Sequence, residues 1–295
     1  MATKARVALF KTLGAVLEAL PERADVAVAS AIAATIGRRN KGARENLSRN
    51  IAHALSPNGS STSDELLELF VNRGFRSYGQ YWAEGAKLPA LAKSVIYDRF
   101  TIAEGLEHLR EGKERGKGVV IALPHVGSWE WGGSFLNSLG LGMTAIAEDL
   151  DPPELFAWFK EKRESIGIRI EPLNEHAGSV LLSTLRGGAI VGLLCDRDLQ
   201  GNGVEVEFFG ERVTMPAGPA TLALRTGATL VAAGCYAGPG RDHFAVITPP
   251  IEAERTKKLR DDVTRVTQLI AVELEGLIRR APEQWHVLED RFVTP

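Results

Sequence analysis

Leu9, Phe10, Leu13, Val16, Leu17 and Leu20 recur at helical spacing, which predicts an N-terminal helix with one apolar stripe, stopped by Pro21. An Ala/Val/Ile-rich segment, 24–38, predicts a second helix that runs into Arg38, Arg39, Lys41 and Arg44. The stretch 56–61, Ser-Pro-Asn-Gly-Ser-Ser, reads as a loop. Ser63-Asp64-Glu65 is a helix-start signal, and the helix it opens continues through Phe70, Phe75, Tyr78 and Trp82 to about Lys87, before Pro89.

From residue 118 the pattern becomes an alternation of strand and helix. Strands are predicted at 118–123, 143–148, 168–172, 189–195, 204–209, 229–236 and 243–248. Helices are predicted between them at 129–138, 153–166, 176–186 and 217–226, and a long one at about 255–280, stopped by Pro282. The runs 119–123 and 189–195 are continuously apolar, which implies a sheet covered on both faces. The expected class is α/β: a central, mostly parallel sheet between helices, with a helical attachment over 1–100 and the core over 101–295.

Charge changes this picture locally. The net charge of −2 gives no general attraction to nucleic acid. Residues 1–50, however, hold nine Lys/Arg against four Asp/Glu. The first helix therefore has two readings, one packed on its own domain and one laid on an anionic bilayer. No run reaches the roughly 18 apolar residues of a spanning helix. No secretory signal is visible at the N-terminus. The expectation is a cytoplasmic chain that lies on a membrane if it meets one. Cys195 and Cys235 stand in apolar runs, far apart, and read as reduced, buried residues with no metal.

Two regions carry candidate chemistry. Pro124-His125-Val126-Gly127-Ser128-Trp129-Glu130 follows a strand end, where α/β proteins build their sites. Gly127 permits a sharp turn, Ser128 suits a helix N-cap, and Glu130 falls in the first turn of the next helix. Glu130 can then accept the imidazole Nδ1–H of His125 and leave the other nitrogen as a base. The same residues also fit a capping carboxylate and a hydrogen-bonded histidine with no catalysis. Ser128 lacks the Gly-x-Ser-x-Gly pattern of a nucleophile. The second region starts with Asp196-Arg197-Asp198 at the end of strand 189–195. Glu205 and Glu207 share one face of the strand that follows, and one of them can point toward His125 or both can face solvent. Arg197 and Arg212 can neutralise a phosphate-bearing substrate, or pair with nearby carboxylates.

The block HVGSWE at 125–130 resembles the His-x4-Asp/Glu motif of the glycerolipid and lipid A acyltransferase superfamily. The stretches from Phe75 to Pro89, from Cys195 to Ala228 and from Ala281 to Leu288 are similar to its actinobacterial phosphatidylinositol mannoside branch, in which Asp is commoner at the place of Glu130. The resemblance covers roughly Arg44 to Leu288. It implies transfer of a long-chain acyl group from acyl-CoA, as substrate and with no cofactor, to a mannose hydroxyl of a glycolipid acceptor. The place implied is the cytoplasmic face of the plasma membrane, against its anionic surface. Other lipid acceptors, acyl-thioester hydrolysis and non-catalytic lipid binding are the alternatives. His125 matches the motif base and Glu130 the motif acid. Glu205 is the best match to a second acid, and Arg163 and Arg212 match basic positions near the donor phosphates.

Overall fold

The computed structural model describes residues 2–22, 24–56, 62–148 and 150–292. Five helices come first: α1 (Ala2–Ala19), α2 (Asp25–Arg39), α3 (Lys41–Leu55), α4 (Asp64–Lys87) and α5 (Lys93–Arg99). Ser63 does cap α4, its hydroxyl accepting from Leu66 N–H at 3.3 Å. The loop expected at 56–61 lies outside the described residues beyond Ser56.

The alternation that follows is β1 (Phe100–Glu104), α6 (Leu106–Glu114), β2 (Val119–Leu123), α7 (Trp129–Ser138), β3 (Met143–Ala147), α8 (Pro153–Ser165), β4 (Arg169–Pro172), α9 (Ala177–Arg186) and β5 (Ile190–Leu194). Then come β6 (Val204–Phe208), β7 (Glu211–Met215), α10 (Gly218–Thr226), β8 (Thr229–Ala237), β9 (His243–Ile247) and α11 (Leu259–Arg280). Seven strands form one sheet in the order β1-β9-β8-β2-β5-β3-β4. Neighbours run parallel except β8 and β9. This is the mostly parallel α/β sheet that the apolar runs implied.

Strand β2 shows why both faces had to be apolar. Val120 and Ala122 join a cluster with Leu185 of α9, Leu222 of α10 and Leu274 of α11. Val119, Ile121 and Leu123 join the opposite cluster with Ile96 of α5, Leu109 of α6 and Phe135 of α7. Each large aliphatic side chain so buried contributes about 1.5–3 kcal/mol.

Four local expectations change. Strand 204–209 does not join the main sheet. Phe209 and Gly210 both adopt positive φ, 52° and 83°, the backbone of a two-residue hairpin turn. The strand therefore folds back on β7, a strand the pattern had not suggested. The last helix starts at Leu259 and not near 255, because the Asp262 carboxylate holds the incoming loop. It accepts from Thr256 N–H at 3.0 Å and Lys257 N–H at 2.9 Å. Strand β1 begins where helix was expected and pairs along the β9 edge.

The stripe of α1 also divides. Phe10 packs between Trp82 (ring centroids 6.4 Å apart) and Phe159 (6.2 Å), and Gly14 lies against Trp158. Leu9, Leu13 and Val16 stay exposed, as do Val28, Ile32 and Ile36 of α2. A repeat of three and four residues cannot distinguish one wide face from two apolar faces on a helix.

Further contacts carry the N-terminal helices onto the core. Asn50 of α3 donates to Val287 O at 2.9 Å and Glu289 O at 2.8 Å. Among the described residues no helix is long and apolar enough to cross a membrane.

Candidate active site

Strands β2 and β5 are parallel neighbours, with Leu123 level with Leu194. His125 and Asp196 each lie two residues beyond that pair, so the two strands deliver them to the same end of the sheet. The imidazole Nδ1 and Asp196 Oδ1 are 2.5 Å apart, and His125 N–H donates to Asp196 Oδ2 at 3.0 Å. Trp285 Nε1–H donates to Oδ2 at 2.8 Å, and the Arg291 guanidinium donates to the Asp196 carbonyl. Asp196 is fully buried, whereas the His125 side chain is 25% exposed.

Burial opposes charge on Asp196. The His125 charge, its two hydrogen bonds and the Trp285 indole outweigh that effect and hold the carboxyl down to about 2. An ionised Asp196 fixes the proton of His125 on Nδ1. In that tautomer Nε2 is the ring nitrogen that carries the lone pair.

The turn between His125 and α7 is stitched from two sides. Val126 bridges Trp285, and Gly127 bridges Cys235. Gly127 has φ 57°, and a Cβ there would stand 1.9 Å from the Cys235 carbonyl oxygen, so only glycine fits. His286 donates its backbone N–H to the His125 carbonyl at 2.8 Å. Its ring is 2.9 Å from Ser77 Oγ and packs beside Tyr78 and Tyr81. Burial first, and then the His125 charge, push the His286 imidazole down to about 3, so it stays neutral.

Glu130 is buried in the first turn of α7, but its partner is not His125. Its Oε1 accepts from Tyr81 OH at 3.0 Å and from the Arg163 guanidinium at 3.1 Å. Arg163 also lies over the Trp129 ring at 4.9 Å. Burial weakens the charged form of Arg163, but Glu130 more than compensates and raises its affinity for the proton. The same burial, with the Glu130 charge, pushes the Tyr81 phenol up.

The other residues singled out from the sequence take partners of their own. Glu205 and Arg212 pair with each other at 3.4 Å across the β6–β7 hairpin, 67% and 82% exposed. Among the described residues Glu205 has no contact with His125. Arg197, next to Asp196, pairs with Glu289. Ser128 does occupy the N-cap position of α7, but its hydroxyl makes no capping bond. Cys195 and Cys235 are buried thiols. No cluster of three or more His, Cys, Asp or Glu is arranged to hold a metal among the described residues.

Residues 3–294 match the family described as bacterial lipid A biosynthesis acyltransferase. The chain belongs to this family. It is 32% identical to the phosphatidylinositol mannoside acyltransferase of Mycolicibacterium smegmatis, over 85% of this chain and 80% of that one. It is 34% identical to the protein of that name from Mycobacterium tuberculosis H37Rv, over 85% and 78%. A lipid A biosynthesis acyltransferase of Haemophilus influenzae is 25% identical over 61% of this chain and 55% of its own length. The chain is thus an acyltransferase of lipids, and His125 and Asp196 are the hydrogen-bonded pair at the end of its sheet.

The carboxylate that accepts from the histidine was the residue sequence reasoning missed. One signal was present: Asp196 ends an apolar strand at the same offset as His125 ends its own. Trp285 stood in the 281–288 stretch that carried the resemblance, but with no role attached, and Arg291, which reaches the site from the far end of the chain, had no signal at all.

Proposed function

We propose that this acyltransferase moves a long-chain acyl group from acyl-CoA to a mannose hydroxyl of a phosphatidylinositol mannoside at an anionic membrane surface. The pair of His125 and Asp196 carries the reading, in a chain about a third identical to relatives named phosphatidylinositol mannoside acyltransferase. His125 Nε2 takes the proton of the acceptor hydroxyl as its oxygen attacks the thioester carbonyl. Asp196 stabilises the imidazolium that forms. The C–O bond is made, the C–S bond breaks, and the proton passes to the leaving thiolate. No covalent acyl-enzyme is needed. Holding hydroxyl and thioester together can itself remove about 7–11 kcal/mol of the barrier in the best cases. Arg197, adjacent to Asp196, is assigned to a phosphate of one of the substrates.

The membrane part of the reading is supported by the exposed Leu9, Leu13 and Val16 of α1 and Val28, Ile32 and Ile36 of α2. Arg38, Arg39 and Lys41 follow the second set. Apolar side chains flanked by cations suit a surface of acidic lipid.

Product mass spectrometry with palmitoyl-CoA and purified phosphatidylinositol mannosides tests the reaction. An acceptor one palmitoyl group heavier is expected, and no such product with His125→Ala. Free palmitate formed at a rate independent of acceptor overturns the proposal in favour of a thioesterase. Flotation with phosphatidylglycerol vesicles tests the surface. Leu9→Ser, Leu13→Ser and Val16→Ser together should release the protein from them, and unchanged flotation removes α1 from the membrane contact.

A further inference from the structure

Among the described residues five buried side-chain atoms find no hydrogen-bond partner, and three of them cluster in one turn. They are Ser128 Oγ, Glu130 Oε2 and Trp131 Nε1. A buried polar atom without a partner is unfavourable, and folded proteins rarely keep one without a use. Ser128 is only 2% exposed, and it issues from the N-cap position of α7.

That position ordinarily uses a serine hydroxyl to accept from the helix's own N–H groups. Here no side chain caps α7, so neither the hydroxyl nor the opening amides of Trp129 and Glu130 are consumed by capping. The helix is ten residues long, and its N-terminal end carries partial positive charge. Glu130, the one acid in its first turn, is matched by Arg163. The end is therefore free of uncompensated negative charge. It opens three residues beyond His125, on a turn clamped by Trp285 and Cys235.

We propose that Ser128 Oγ–H, with the opening N–H groups of α7, receives the negative oxygen that develops on the acyl carbonyl. The inference rests on the acyl-transfer reading above. As the acceptor oxygen bonds to the carbonyl carbon, the carbonyl π pair moves onto oxygen. Ser128 and the amides hydrogen-bond that oxyanion. The pair then returns as the C–S bond breaks, and the thiolate leaves with the proton held by His125. Ser128 keeps its own proton throughout. The capping bond is forgone in the ground state, which leaves the amides free, and the Ser128 O–H has no acceptor there, so both donors are ready for charge that exists only in the transition state.

The test is Ser128→Ala, read by steady-state kinetics with palmitoyl-CoA and mannoside acceptor, together with thermal unfolding. Loss of a single oxyanion donor lowers kcat by about 100-fold or more in comparable sites. A fall of that order is expected here, with both KM values and the pH midpoint unchanged. The Tm should hold or rise, because an unpartnered buried hydroxyl has been removed. Ser128→Cys, with a poor donor of similar shape, should remain low in kcat and serves if the alanine variant does not fold. Unchanged kcat overturns the proposal and leaves the hydroxyl to a bound water. A fall in kcat tracking a fall in Tm overturns it in favour of a structural role. A palmitoyl ester trapped on Ser128 overturns it in favour of a nucleophile. Loss of acceptor-dependent product from the wild-type protein is a different failure, that of the acyl-transfer reading itself.

Discussion

His125 Nδ1 and Asp196 Oδ1 are 2.5 Å apart although 71 residues separate them in the chain. Their strands are neighbours, and the whole α7–β3–α8–β4–α9 segment intervenes. Asp196 makes two bonds to His125 and one to Trp285, so it sets both the tautomer and the angle of the ring. Asp196→Asn keeps the shape but removes the charge that stabilises the imidazolium. Steady-state kinetics with palmitoyl-CoA should show kcat reduced by about 100-fold or more, the contribution expected of a working general base. Activity within threefold of wild type would sink the assignment.

Glu205 offers the contrasting carboxylate. Its pairing with Arg212 is exposed on both sides, and such pairs contribute about 0–1 kcal/mol. Glu205→Gln and Arg212→Gln should each change urea-unfolding stability by less than about 0.5 kcal/mol and leave kcat within twofold. A large kcat loss with Glu205→Gln would return that residue to the chemistry.

The difference between these two carboxylates marks where sequence reasoning stops. The apolar runs of β2 and β5, the Ser63 cap and the strand end at His125 are local patterns, and all were legible. Strand order is not local. Glu130, five residues from His125, is the nearest acid in the chain, but α7 turns it toward Tyr81 and Arg163. Alternation correctly gave Glu205 and Glu207 one face of β6 and Val206 and Phe208 the other. It carried no sign that the strand pairs away from the main sheet. Trp285 and Arg291 reach Asp196 only through the packing of the C-terminal segment. Their roles therefore left no periodicity to read.

Glu130 and Arg163 should behave as a coupled unit. Both side chains are largely buried and 3.1 Å apart. Glu130→Gln leaves a buried guanidinium without its counter-charge, which in comparable sites costs about 3–5 kcal/mol. Arg163→Met strands the carboxylate in the same way. The double variant should recover part of the stability lost by either single one, a coupling of about 0.5–3 kcal/mol in a double-mutant cycle read by urea unfolding. Strict additivity would mean that the contact does not stabilise the fold.

His286 predicts a pH dependence of stability that comes from burial first and from the His125 charge second. Its imidazole is held neutral down to about 3 in the fold, while the unfolded chain takes up that proton near the ordinary value of 6.5. Above about 6.5 neither state binds it, and the residue has no effect on the slope. Between about 6.5 and 3 only the unfolded state binds it, so stability is lost as pH falls, at up to about 1.4 kcal/mol per pH unit from this group. Asp196, held down to about 2, adds its own loss only below about 4, where the unfolded carboxyl begins to protonate. The two contributions therefore separate in pH. His286→Gln keeps a hydrogen-bonding group near Ser77 but cannot titrate, and it should flatten the slope between pH 6 and 4.5 (about the window of histidine alone). Urea unfolding across that range checks it. Parallel curves for wild type and variant would show that His286 is protonated in the fold, and that its place beside His125 is not the neutral one described.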